Sequence, residues 1–216
     1  MSNEYPAMFL DSVTGRLPEK CDGCRRSIAP TSPMLITNVM TSIRPDGTRG
    51  KKHELCLCTM CWAEASAAIT PQSRARLVPH VEDEIAKRML KSADFDPDYL
   101  RTLTNREFRA GDTQKIREHM RVCRFCAEDT LDPRLGGEVD FIHTAVFQGG
   151  ELVVKTGRYL RFEIPQTLCE KCDAAAASRL SDVQRDALDV VYARLEVEDH
   201  GFRPVLPFIA EHPLAV

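Results

Sequence analysis

From Met34 to Ile43 nearly every position is apolar or β-branched, and Leu35, Val39 and Ile43 fall on one side of an extended backbone. After Pro45-Asp46-Gly47-Thr48 the pattern alternates, with His53, Leu55 and Leu57 on one side and Lys52 and Glu54 on the other. The proline presets φ and the glycine accepts positive φ, so this stretch predicts a β-hairpin. The same alternation sends Cys56 outward beside Glu54.

A second extended region begins at Val139 and runs to Phe147, turns at Gly149-Gly150 and returns over Leu152 to Lys155. Thr156-Gly157 turns again into Arg158 to Ile164, where Leu160, Phe162 and Ile164 share a side. Helical spacing follows each region. One helix is expected over Trp62 to Ile69 and another from Thr70-Pro71, with a stripe of Leu77, Val81, Ile85 and Met89 that Pro79 interrupts. The later counterpart is a helix from Ser181 to about Val197, stopped near Gly201.

Three stretches lie outside these regions. Residues 1–20 carry one apolar patch, Met8-Phe9-Leu10, and a turn at Thr14-Gly15, which predicts an arm packed on the first region. Residues 92–122 hold helix-start signals at Asp96-Pro97 and Thr104-Asn105-Arg106-Glu107, then Gly111-Asp112 before Thr113 to Arg121. With no Gly/Ser or Pro run they read as a helical connector in a fixed relation to both sides. The end, Phe202 to Val216, is apolar but broken by Pro204, Pro207 and Pro213, so an extended, docked tail is expected.

The two regions are versions of one another. Leu57-Cys58-Thr59-Met60-Cys61 aligns with Leu168-Cys169-Glu170-Lys171-Cys172, and the register continues without a gap through Ile69 and Leu180, Thr70 and Ser181, Arg74 and Arg185, Leu77 and Leu188. Each is preceded by a further pair, Cys21/Cys24 and Cys123/Cys126. The expected fold is α+β, a duplicated module of β-hairpin plus helices. The division is 1–91 for arm, first module and trailing helix, 92–122 for the connector, 123–200 for the second module and its helix, and 201–216 for the tail.

Zinc takes four tetrahedral thiolate or imidazole ligands, and a Cys-x2-Cys turn directs two sulfurs at one ion. The expected ligand sets are Cys21, Cys24, Cys58 and Cys61, and Cys123, Cys126, Cys169 and Cys172, for two structural zinc ions. Between the pairs lie 33 and 42 residues, room for a hairpin in each case. The order of Cys pair, β-hairpin and Cys pair at a helix start resembles a treble-clef zinc finger, twice over, across about 21–69 and 123–180. That resemblance implies one zinc per module, held by a knuckle and by a helix N-terminus. Treble clefs serve many functions, so the resemblance leaves function open. Iron in a four-thiolate site and redox-active Cys-x2-Cys pairs compete with zinc, and disulfides would need an exported chain. Cys56, aligned with Thr167, is a spare thiol or an alternate for Cys58.

Composition adds little beyond class. No apolar run is long enough to span a membrane, and the start lacks the basic-then-apolar layout of a signal peptide, so a cytoplasmic location is expected. The net charge of −3 is uneven: residues 1–122 carry 19 Lys/Arg against 16 Asp/Glu, residues 123–216 carry 10 against 16. Nucleic-acid contact would therefore be local to the first half, through Arg25, Arg26, Arg44, Arg49, Lys51 and Lys52. The competing reading of those cations is a solvated hairpin tip. Phe202, Leu206, Phe208 and Ile209 in the tail are candidate contacts for a protein partner, with intramolecular packing as the alternative. An enzyme is not expected, because eight ligands would saturate both metals, and His53 and His143 lack the companions of a nuclease site. The expectation is a non-enzymatic interaction protein, with a protein partner first, nucleic acid second and thiol-redox or iron chemistry third. No small-molecule substrate is expected.

Overall fold

The computed structural model describes residues 8–44, 46–69, 75, 120–153 and 166–195. Strand β1 (Met34–Thr41) and strand β2 (Lys51–Cys58) form the first hairpin, and α1 (Thr59–Ala67) follows β2 without a break. In the second half, β3 (Asp140–Gln148) and β4 (Glu151–Val153) form a hairpin. Then β5 (Gln166–Cys169) runs directly into α2 (Glu170–Ala177), and α3 (Asp182–Arg194) closes the described chain. The architecture is α+β around an antiparallel sheet.

The two hairpins are joined. β1 pairs antiparallel with β3 along its whole length, from Met34 opposite Phe147 to Thr41 opposite Asp140. One five-stranded sheet results, ordered β2-β1-β3-β4, with β5 on the same edge of β3 as β4. Strands β1 and β3 are therefore central and buried on both faces, which is why apolar residues occupy both sides of each strand.

One face carries Leu35, Val39, Leu55, Leu57, Ile142, Val146 and Leu168; the other carries Ile36, Cys56, Phe141, Ala145 and Phe147. The arm covers the second face, where Phe9, wholly buried, meets Phe147 edge-on with ring centroids 5.4 Å apart. Full burial of such a ring contributes roughly 1.5–3 kcal/mol. Across the same face Glu54, Asn38, His143 and Thr167 stand opposite one another on successive strands. This polar row seats the incoming backbone: Asn38 Nδ2 donates to the Met8 carbonyl, Ser12 N–H donates to Glu54 Oε2, and Thr167 Oγ1 donates to the Met120 carbonyl at 2.7 Å.

Local starts and stops follow the sequence with small shifts. The first helix begins at Thr59, three residues earlier than expected, with Cys58 as its extended N-cap. The last begins after Ser181, where the Ser181 and Gln184 side chains cap each other's backbone amides reciprocally. β1 ends at Thr41, although Ser42 N–H still bonds the Val139 carbonyl in the register of the β1–β3 pairing, and Ile43 is only half-buried. The expected strand over Arg158 to Ile164, the stripe from Leu77 to Met89, most of the connector and the tail lie outside the described residues.

Cys56 corrects the expectation from alternation. It is 1% exposed, because the outer face of β2 is covered by the arm and the first knuckle. Its sulfur lies 3.9 Å from Met34 Sδ, and its amide donates to Asp22 Oδ2 at 2.6 Å.

Candidate metal centres

Each set of four cysteines converges. The sulfurs of Cys21, Cys24, Cys58 and Cys61 lie within 4.8 Å of one another, and so do those of Cys123, Cys126, Cys169 and Cys172. All are free thiols. A tetrahedral zinc with Zn–S near ~2.3 Å separates its sulfurs by roughly 3.8 Å. The Cys24–Cys58 sulfurs are 3.9 Å apart and the Cys126–Cys169 sulfurs 3.6 Å. The donor set and its spacing fit two structural zinc ions.

Backbone geometry builds the two sites alike, bond for bond. Cys21 N–H donates to the Arg26 carbonyl and Arg25 N–H returns to the Cys21 carbonyl; Cys123 with Glu128, and Ala127 with Cys123, repeat both bonds. Closing this knuckle places a non-glycine residue at positive φ in each copy, Arg25 at 60° and Ala127 at 61°. Asp22 N–H donates to the Cys56 carbonyl and Arg124 N–H to the Thr167 carbonyl, which clamps each knuckle to the sheet's outer strand. Cys58 N–H points at the Cys21 sulfur at 3.2 Å, and Cys169 N–H at the Cys123 sulfur at 3.3 Å. Such N–H to sulfur contacts orient thiolate ligands and offset part of their charge.

The thiols influence one another strongly. Burial raises the pKa of Cys61, with the Cys21 and Cys58 thiols adding to the effect. Hydrogen bonds from Cys126, Cys169 and Cys172 lower that of Cys123. Neighbouring thiolates at this range oppose each other's ionisation, so a divalent cation is what allows all four to shed protons together. Cys24 and Cys126 are the exposed members of their sets, while Cys21, Cys123 and Cys169 are buried.

The basic hairpin is less free than its sequence implies. Arg49 Nη2 donates to the Thr130 carbonyl at 2.7 Å, across to the second module. Lys51 Nζ donates to the Leu10 carbonyl and pairs with Glu54 Oε2 at 3.0 Å. Arg25 faces Asp22 at 3.7 Å, and Arg26 and Arg44 are exposed. The Lys52 side chain and all of Phe202, Leu206, Phe208 and Ile209 lie outside the described residues.

His143 is wholly buried, and desolvation, assisted by the Arg49 charge, lowers its pKa to about 3. Thr167 gives its hydroxyl proton to Met120, so His143 Nδ1 must donate to Thr167 Oγ1 at 2.9 Å. The imidazole is a neutral core group. Sequence reasoning also missed Leu195, which lies against the first knuckle at Gly23. An apolar residue at the end of an amphipathic helix carries no local mark of that destination.

Among the described residues, no helix is long and apolar enough to cross a membrane. Comparisons with protein-family models, curated proteins and solved structures found no significant match to this chain.

Proposed function

We propose that the chain is a non-enzymatic, zinc-stabilised interaction protein, built from a duplicated treble-clef-like unit whose halves share one sheet, and that it binds a protein partner. The bond-for-bond likeness of the two knuckles supports the duplication. Tetracysteine ligation leaves a four-coordinate metal no open position for water, and the one histidine in the middle of the sheet is neutral and enclosed. Both features favour a scaffold over a catalyst.

A stripe on α3 carries the reading. Val183 is 77% exposed and Val190 54% exposed, two helical turns apart on one side. Apolar side chains at that spacing suit a protein surface better than a phosphate backbone. The nucleic-acid alternative loses strength because Arg49 and Lys51 already have internal partners. It retains Arg26 and Arg44. Iron or thiol-redox chemistry draws on the same eight sulfurs and is separated by metal analysis.

The test compares the full chain with a Val183→Glu/Val190→Glu variant after affinity purification. The expected result is a protein that accompanies the wild type in fixed proportion and is lost from the variant, with metal content unchanged at two zinc ions per chain. A partner retained by the variant overturns the role of α3. Nucleic acid accompanying both, and released by salt, transfers the reading to the basic hairpin.

A further inference from the structure

The first metal site borrows part of its wall from the other half of the chain. Gly23 sits inside the first knuckle, where a Cβ would lie 2.9 Å from Cys61 Sγ and 3.3 Å from Leu195 Cδ2. Leu195, the C-cap of α3, is 6% exposed, and Leu188 and Tyr192 before it are 3% and 2% exposed. Leu188, Tyr192 and Leu195 recur every three to four residues, so one face of α3 is driven inward and ends on the knuckle. In sequence α3 follows the last ligand of the second site, Cys172.

The second knuckle is built differently at the matching position. Phe125 stands where Gly23 stands in the first, and its own side chain is 1% exposed. With glycine at that position, the space beside the first site's ligand sulfur goes to Leu195.

We propose that Leu195 latches the first metal site, so that its metal is held only as firmly as the second half of the chain is folded. Loosening of α3 therefore uncovers the ligands of the first ion. Water and a competing chelator reach a thiolate through whatever apolar cover opens, which makes the latch a kinetic barrier as well as a packing contact.

The experiment is a chelator challenge on the full-length two-zinc protein, read site by site as the rate at which each cysteine becomes alkylated, by peptide mass spectrometry. In Leu195→Ala, alkylation of Cys24, Cys58 and Cys61 is expected to accelerate about tenfold or more, the equivalent of losing most of one buried leucine. Cys126, Cys169 and Cys172 should keep the wild-type rate, and Leu195→Met should restore the first site. Cys172→Ser, which removes a second-site ligand ahead of α3, should also accelerate release from the first site. Unchanged first-site rates in Leu195→Ala overturn the latch. Equal acceleration at both sites overturns it too, since that is general loosening.

Discussion

Thr37 and Thr144 stand opposite each other where β1 meets β3, both almost wholly buried, with their hydroxyl oxygens 3.2 Å apart. They are the equivalent residues of the two halves. β2 and β5 end on the matching cysteines Cys58 and Cys169, and counting back through their pairings with β1 and β3 lands on Thr37 in one half and Thr144 in the other. A pair of equivalents facing each other marks a local two-fold axis between the halves. The pairing of β1 with β3 is thus symmetric about this point, as it would be between two subunits related by a two-fold axis.

The pair makes a test of that junction. Removing one hydroxyl leaves the other buried without its partner, at a cost of roughly 1–3 kcal/mol, while removing both is nearly neutral. Thr37→Val and Thr144→Val should each lower the urea midpoint, and the double variant should recover most of the loss. A double variant as weak as the sum of the singles would place the contribution in packing rather than in the hydrogen bond.

His143 makes stability depend on pH in a defined direction. Its folded pKa of about 3 lies below the ordinary 6.5, so between those values the unfolded chain binds the extra proton. The stabilising contribution is complete above pH 6.5 and is lost progressively as pH falls towards 3, at about 1.4 kcal/mol per pH unit. Zinc loss in acid affects every variant alike, so the informative quantity is wild type minus His143→Gln. That difference should shrink below pH 6.5, and a flat difference would mean the imidazole titrates normally.

Cys56 should behave as a core residue. At 1% exposure, with burial raising its pKa, it is neither ionised nor reachable at neutral pH. The native two-zinc protein should therefore show no rapidly alkylated thiol, although one of its nine cysteines has no metal. Labelling of Cys56 at the rate of an exposed thiol, with both zincs retained, would show that the outer face of β2 opens. Cys56→Val, close in size, should leave zinc content at two.

Much of this architecture was legible locally. The hairpin turns at Asp46-Gly47 and Gly149-Gly150, each Cys-x2-Cys pair and the start of α3 at Ser181 all rest on side chains close in sequence, and the repeat itself showed which pairs belong together. What escaped was long-range. Pairing of β1 with β3 joins residues about a hundred positions apart and leaves no turn chemistry to read. Its trace was the density of apolar side chains from Met34 to Thr41, more than a one-faced hairpin needs. The Cys56 expectation failed for the same reason, since alternation predicts sidedness but not whether the second side is covered. The cap of Leu195 on Gly23 is legible only in three dimensions.

Arg49 separates structural from surface roles in the basic hairpin. Its guanidinium reaches the Thr130 carbonyl, four residues beyond Cys126, and so ties the hairpin of one half to the knuckle region of the other. A hydrogen bond from a charged donor contributes roughly 1.5–3 kcal/mol, and its loss leaves the Thr130 carbonyl without that donor. Arg49→Ala should accordingly lower the midpoint of chemical unfolding, while Arg26→Ala and Arg44→Ala, at exposed positions, should leave it within about 0.5 kcal/mol of wild type. Salt titration of duplex binding then reads the other role. If the hairpin meets phosphates, Arg26→Ala and Arg44→Ala flatten the salt slope without touching stability, and Arg49→Ala weakens binding only as far as it unfolds the protein. If none of the three changes a measurable affinity, the hairpin serves the fold alone.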